Sequence, residues 1–169
     1  MIVRDAVPDD AEAMALVHVR TWQAAYAHIF PPERLAALSA ERRTDNWRVW
    51  IATPEPRTHR FVAEDGDGVC GIASLGPARD EEEPAEVGEL YAIYVLPRGW
   101  GTGAGPALMS AVLGRLRDEG FRRAILWVLE DNPRARRFYE RSGWELDGGV
   151  MDGTFLETTV TEVRYRIAL

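Results

Sequence analysis

The chain has 169 residues, 46% of them hydrophobic and 28% charged, a size and balance that suit one globular domain with a sizeable core rather than a disordered chain or two small modules. The formal net charge of −7 argues against general nucleic-acid binding, because affinity for phosphate backbones comes largely from Lys and Arg displacing counterions. The opening "MIVRDAVPDD" lacks the basic-then-apolar pattern of a signal peptide, and no segment is apolar over the roughly 18 residues that suggest a membrane span, so the expectation is a cytoplasmic protein without a membrane partner.

"IVRDAV" reads as an opening strand, and Asp9 or Asp10 can cap a helix that continues through "AEAMALVHVRTWQAAY". His18, Trp22 and Tyr26 recur every four residues and share one face of that helix, which is either core or one wall of a pocket. "FPPERLAAL" gives a turn and a short helix; "SAERRTDNWRVWIA" gives another helix, with Trp47, Trp50 and Ile51 at helical spacing. The period then changes to that of strands in "HRFVAED" and "GVCGIASLG", joined by the turn "DGDG". Cys70, the single cysteine, falls in the second of these runs and reads as a buried small side chain; it permits neither an intrachain disulfide nor a thiolate-rich metal site. His18, His28 and His59 have no metal-ligand spacing, and no metal is expected.

The acidic run Asp80 to Glu83 reads as a solvated loop that would favour cationic substrates if it bordered a pocket. "EVGELYAIYVLP" is a long strand, "PALMSAVLGRLRDEG" a helix with Pro106 near its start and Gly120 past its end, and "AILWVL" a buried strand. Asn132 can cap a helix from Pro133 to Arg141 that Gly143 ends, and "WELDGGVM" and "TTVTEVRYRIAL" are the last two strands. Hairpins flanking a central strand, glycine loop, helix, strand and helix predict a single mixed α/β or α+β sheet domain.

"PRGWGTGAGPAL", from Pro97 to Leu108, is the densest functional signal. A strand running through glycines into a helix leaves unpaired backbone N–H groups at the positive end of a helix dipole, which is an anion site. Gly101, Gly103 and Gly105 permit unusual dihedrals and keep side chains away from a phosphate. The spacing fits neither common nucleotide loop: Pro106 and Ala107 stand where a Walker loop has Lys and Ser or Thr, and GxGxG is not the dinucleotide GxGxxG.

"ELYAIYVLPRGWGTGAGPAL" followed by "EDNPRARRFYERSGWE" resembles the central half of the GNAT family, the GCN5-related N-acetyltransferases, from about Glu89 to Glu145; "VHVRTWQAAY" and "EVRYRIAL" are more loosely similar to bacterial members. The resemblance implies a GNAT-like fold in which acetyl-CoA lies in a gap between two splayed parallel strands, here "LYAIYVL" and "AILWVL". Backbone groups of Ile93, Tyr94 and Val95 would run beside the pantetheine arm, and the loop Gly101, Thr102, Gly103, Ala104, Gly105 and Pro106 would hold the pyrophosphate, Pro106 without an N–H to give. Asn132 matches the family's asparagine beside the cofactor and Tyr139 a tyrosine near its sulfur, while Arg134 belongs to a locally basic helix (with Arg136, Arg137 and Arg141) that either meets the cofactor phosphates or is a solvated face. Asn132 is also a good helix cap in any protein, and Phe138 and Tyr139 are also plausible core aromatics. Trp100 departs from the Gln or Arg often found at its position, and Trp127 stands where some members that acetylate protein N-termini carry a glutamate.

Acetyl transfer to an amine needs a neutral nucleophile, a polarised thioester carbonyl and a proton for the departing thiolate. Tyr139 is the expected acid, a strand amide near Ile93 to Val95 the expected oxyanion donor, and Glu89 the candidate base, placed by its even offset on the face of Tyr91 and Ile93. Trp22 and Tyr26 of the first helix, together with the Asp80 to Glu83 loop and the C-terminal hairpin, would line the pocket of a small-molecule amine or peptide acceptor. The alternative is a non-catalytic acyl-CoA-binding or regulatory domain. The resemblance also permits a homodimer.

Overall fold

In the computed structural model, which describes residues 1–169, the chain forms strands β1 (Ile2–Asp5), β2 (His59–Asp65), β3 (Gly68–Pro77), β4 (Val87–Val95), β5 (Arg123–Leu129), β6 (Glu145–Phe155) and β7 (Thr158–Ala168). The helices are α1 (Ala11–Ala25), α2 (Pro32–Ala36), α3 (Ala40–Ala52), α4 (Ala104–Asp118) and α5 (Pro133–Arg141). The strands make one sheet in the order β1-β2-β3-β4-β5-β7-β6, in which only β4 and β5 run parallel.

Strand alternation divides the core between the two faces. Val62 and Ile72 point to one side, where they pack with Met14 and Val17 of α1 and Trp47 of α3. Phe61, Ala63, Ala73, Ala124, Leu126, Val163 and Tyr165 point to the other, under Leu108, Val112 and Leu116 of α4 and Tyr139 of α5. Cys70 is buried in this second face. Gly120 and Gly143 follow α4 and α5 with φ of +81° and +88°, left-handed stops of the expected kind.

Three readings from the sequence change. Asp10 does not cap α1 through its side chain; it accepts from the Val7 amide at 2.8 Å and takes both guanidinium nitrogens of Arg4 at 2.7 and 2.8 Å, closing the turn before the helix. The acidic loop is not simply solvated: Glu83 contacts Arg164 at 3.0 Å and Arg166 at 2.5 Å, and Asp147 holds both arginines from β6. The loop is thereby strapped to β7, and much of its charge is already met.

The third concerns β4. Leu90 pairs with Leu75 and Ala92 with Ser74, so Tyr91 is an extra, bulged residue. A bulge reverses the alternation: Leu90, Ile93 and Val95 share the α4 face, and Tyr94 packs on the α1 face. Glu89 therefore shares the face of Ala92 and Tyr94, not that of Ile93. Gly76 makes room for the bulge, since a Cβ there would collide with the Tyr91 hydroxyl, which donates to the Pro77 carbonyl at 2.6 Å.

Candidate active site

Parallel pairing between β4 and β5 stops after Val87–Arg123, Gly88–Ala124 and Glu89–Ile125. Beyond Glu89 the strands diverge around the Tyr91 bulge, which bends β4 and raises its local twist. The divergence opens a cleft of ≈ 1380 Å³. The Leu96 amide donates to Cys70 in the β3 ladder. In an antiparallel pair alternate residues bond across, which commits Tyr94's backbone to β3 and turns that of Ile93 and Val95 into the gap. Tyr94 meets the cleft with its side chain instead. The Val95 carbonyl is itself taken by the Trp100 indole N–H at 2.7 Å.

The glycine loop closes one end of the cleft. Gly101 and Gly103 have φ of +78° and +97°, and Gly103 is the left-handed residue that starts α4. The amides of Gly101, Gly103, Ala104 and Gly105 donate to no acceptor in the protein. Thr102 differs: its amide and hydroxyl both bond the Gly99 carbonyl, at 3.3 and 2.8 Å. Four free donors at the start of a fifteen-residue helix suit a pyrophosphate-sized anion. Pro106 lines the cleft without a donor.

The opposite wall comes from β5 and α5. Asn132 is buried, and its side-chain oxygen accepts from the Ala135 amide at 3.1 Å. The capping role is therefore real, and the same residue lines the cleft. Arg134 reaches across the mouth to lie 3.4 Å from the centroid of the Trp100 ring. Tyr139 sits among Phe138, Trp144 and Tyr165, with ring centroids 5.5, 6.5 and 6.2 Å away. It is 8% exposed and lines the cleft, and its hydroxyl has no hydrogen-bond partner. Burial first, and then the neighbouring Tyr94, push this phenol well above its ordinary range, so it holds its proton at neutral pH.

The other face of the sheet meets the cleft at α1 and the β6–β7 hairpin. Trp22 packs edge-on to Tyr26 at 5.0 Å, stacks over Phe30 at 6.0 Å and meets Phe155 at 6.4 Å. Trp22 and Tyr26 are thus both core and pocket wall. Glu89, 1% exposed, lies at the point where the strands part. Arg79 holds it three times: through its amide at 2.8 Å, its Nε at 3.1 Å and its Nη2 at 2.5 Å.

The C-terminal hairpin does reach the cleft, through Met151, Phe155 and Glu162, although sequence reasoning named none of these residues; it also passed over Arg79, which lines the cleft from the loop after β3. A signal for Glu162 existed: in "TEVRYRIAL" the alternation of Glu162, Arg164 and Arg166 with Val163, Tyr165 and Ile167 marks a polar sheet face. Trp127, on β5, carries Arg164 over its ring at 5.4 Å.

Residues 19–144 match the acetyltransferase (GNAT) family. The chain is 39% identical over 132 residues to the uncharacterized N-acetyltransferase YuaI of Bacillus subtilis, covering 78% of this chain and 73% of that one. It is 32% identical over 139 residues to the uncharacterized N-acetyltransferase Rv2669 of Mycobacterium tuberculosis, covering 82% and 85%. In three dimensions it is similar to a GCN5-related N-acetyltransferase from Kribbella flavida, with a TM-score of 0.75, 25% identity and 99% and 97% of the two chains covered. It is also similar in fold to the PaiA N-acetyltransferase of Thermoplasma acidophilum, solved in complex with coenzyme A, with a TM-score of 0.75, 17% identity and 99% and 98% covered.

Proposed function

The chain belongs to the acetyltransferase (GNAT) family, and on that premise we propose that it transfers the acetyl group of acetyl-CoA to a primary amine of a small molecule by direct attack. The observation that carries this reading is the splayed β4–β5 pair, with four free amides at the start of α4 and the unpartnered Tyr139 hydroxyl on one wall. Acetyl-CoA supplies the activated thioester. Its pyrophosphate fits the amides of Gly101, Gly103, Ala104 and Gly105, and its extended arm fits the strand backbone at Ile93 and Val95. Asn132 and Arg134 border the same path. The PaiA structure with coenzyme A supports a CoA site in this fold.

Within this reading Tyr139 gives its proton to the departing sulfur, and the strand backbone at Ile93 and Val95 offers a donor to negative charge growing on the carbonyl oxygen. Glu89 is a poor base, because Arg79 already engages both of its oxygens; its part is to hold that guanidinium on the acceptor side. Trp22 and Tyr26 wall the acceptor pocket. Tryptophan at position 127, rather than a carboxylate, supports a small molecule over a protein N-terminus. No helix is long and apolar enough to cross a membrane.

Gly103→Ala tests the loop. At φ +97° a Cβ costs about 1–2 kcal/mol, and the strain is relieved by turning the free amides away from a common point. The expected result is acetyl-CoA affinity reduced about tenfold or more, corresponding to about 1.4 kcal/mol or more, measured by calorimetry. Unchanged affinity would remove the loop from the site.

Turnover is tested by free-thiol release from acetyl-CoA across amines, polyamines, aminoglycosides and peptides. Release with at least one amine supports the enzyme. Saturable acetyl-CoA binding with no release across the panel would assign the chain instead to a non-catalytic acyl-CoA-binding role.

A further inference from the structure

Three carboxylates line the cleft, and two are occupied. Glu89 belongs to Arg79, and Asp80 faces Arg164 at 3.6 Å and accepts the Glu82 amide at 3.0 Å. The Glu162 side chain makes no hydrogen bond and no salt bridge. It stands on β7 opposite Leu129 of β5 and Met151 of β6, on the sheet face of Trp127 and Arg164. A half-buried carboxylate left without a partner is costly, and a purely structural one would be expected to have found a partner among the nearby arginines. Arg164 instead serves Asp80, Glu83 and Asp147.

The cleft that Glu162 lines also carries apolar side chains, Trp22 and Tyr26 from α1, Trp127 from β5, and Met151 and Phe155 from β6, with the Arg79 guanidinium, held by Glu89, alongside. Such a pocket, with one free negative charge, suits a cation on an apolar body of aromatic size. Resting on the acetyl-transfer reading above, we infer that Glu162 receives the ammonium of an apolar, aryl-sized acceptor amine and takes its proton as the amine attacks. The bound ammonium first releases one proton to solvent; the lone pair so freed forms the C–N bond as the C–S bond breaks. One N–H proton passes to a Glu162 oxygen, the Tyr139 O–H proton passes to sulfur, and Glu162 then returns its proton through solvent to the phenolate.

The charged and titratable groups facing Glu162 are Arg79 and Asp80 from the loop after β3, Glu89 and Tyr94 from β4, Tyr26 from α1, and Arg164 on its own strand; Asp152 of β6 is held by the Thr161 hydroxyl at 2.8 Å. Burial raises the Glu162 carboxyl above its ordinary value, Arg79 opposes the rise and Glu89 adds to it. The site is thereby moved toward the range in which a base works.

The test compares wild type with Glu162→Gln, using 2-phenylethylamine as the probe and spermidine and L-phenylalanine as contrasts. Wild type should acetylate 2-phenylethylamine with kcat/KM at least about tenfold above either contrast, since one lacks the apolar body and the other adds a carboxylate. Glu162→Gln should lower kcat by about 10²-fold and flatten the acid limb of the pH profile. Calorimetry on CoA-saturated protein should show 2-phenylethylamine binding weakened about tenfold, with acetyl-CoA affinity unchanged. Glu162→Asp, which keeps the charge at shorter reach, should fall between the two. A Gln variant with wild-type turnover and amine affinity overturns the role of Glu162. A wild type that binds CoA but not 2-phenylethylamine, or that prefers spermidine, overturns the acceptor class. A wild type that binds no acetyl-CoA overturns the donor reading beneath both.

Discussion

Tyr139→Phe should lower kcat by about 10²-fold or more, the lower end of what a positioned general acid contributes, while leaving acetyl-CoA affinity within a few-fold and thermal stability unreduced. The ring is fixed by Phe138, Trp144 and Tyr165, and phenylalanine keeps those contacts. Only the hydroxyl is lost. Because that hydroxyl bonds nothing in the protein, its removal leaves no buried partner unsatisfied. A core tyrosine whose hydroxyl anchored the fold would behave the opposite way, losing stability and keeping turnover. Single-turnover kinetics at saturating acetyl-CoA separate the two, and a variant as fast as wild type removes Tyr139 from the acid role.

His18 should make the protein sensitive to mild acid. It is 8% exposed, neither ring nitrogen has a partner, and Trp22, Trp47 and Tyr94 surround it with ring centroids at 5.7, 6.1 and 4.8 Å. Burial, helped by Arg43, lowers its pKa to about 3. The unfolded chain protonates an ordinary histidine near pH ~6.5, so between about 6.5 and 3 the unfolded state binds a proton that the native state refuses. Stability from this group is fully present above ~6.5 and is lost as pH falls, at up to about 1.4 kcal/mol per pH unit. Below about 3 the loss levels off. Urea unfolding between roughly pH 4 and roughly pH 7, inside the window of that titration, should show wild type losing stability more steeply than His18→Phe or His18→Leu. Parallel pH dependences would place the acid sensitivity elsewhere, in carboxylates such as Asp10, which Arg4 holds below its usual range.

The pattern of strands and helices was readable because most elements satisfy local rules: glycines with positive φ end α4 and α5, and Asn132 caps α5. The glycine loop was legible for the same reason, since its free amides follow from where a strand stops and a helix starts. What escaped is what depends on partners far along the chain. The Tyr91 bulge is invisible to a two-residue period, and it moved Glu89 to the opposite face from Ile93. The acidic loop looked solvated because the arginines that strap it down are remote, Arg164 lying 81 residues and Arg166 83 residues beyond Glu83. Arg79 is ten residues from Glu89, yet only the β3–β4 hairpin brings the two together. The C-terminal hairpin is legible as part of the acceptor wall, and the alternation in β7 marks a polar face, but Glu162 is singled out only by the register of β7 against β5.

The most direct test of the central claim is amide hydrogen exchange of the wild-type chain with and without saturating acetyl-CoA. The account predicts slowed exchange in peptides covering Ile93 to Val95 and Gly101 to Gly105, where backbone donors face the cleft, and no change in α3. Protection confined to other elements, or none at saturation, would contradict the placement of the donor between β4 and β5.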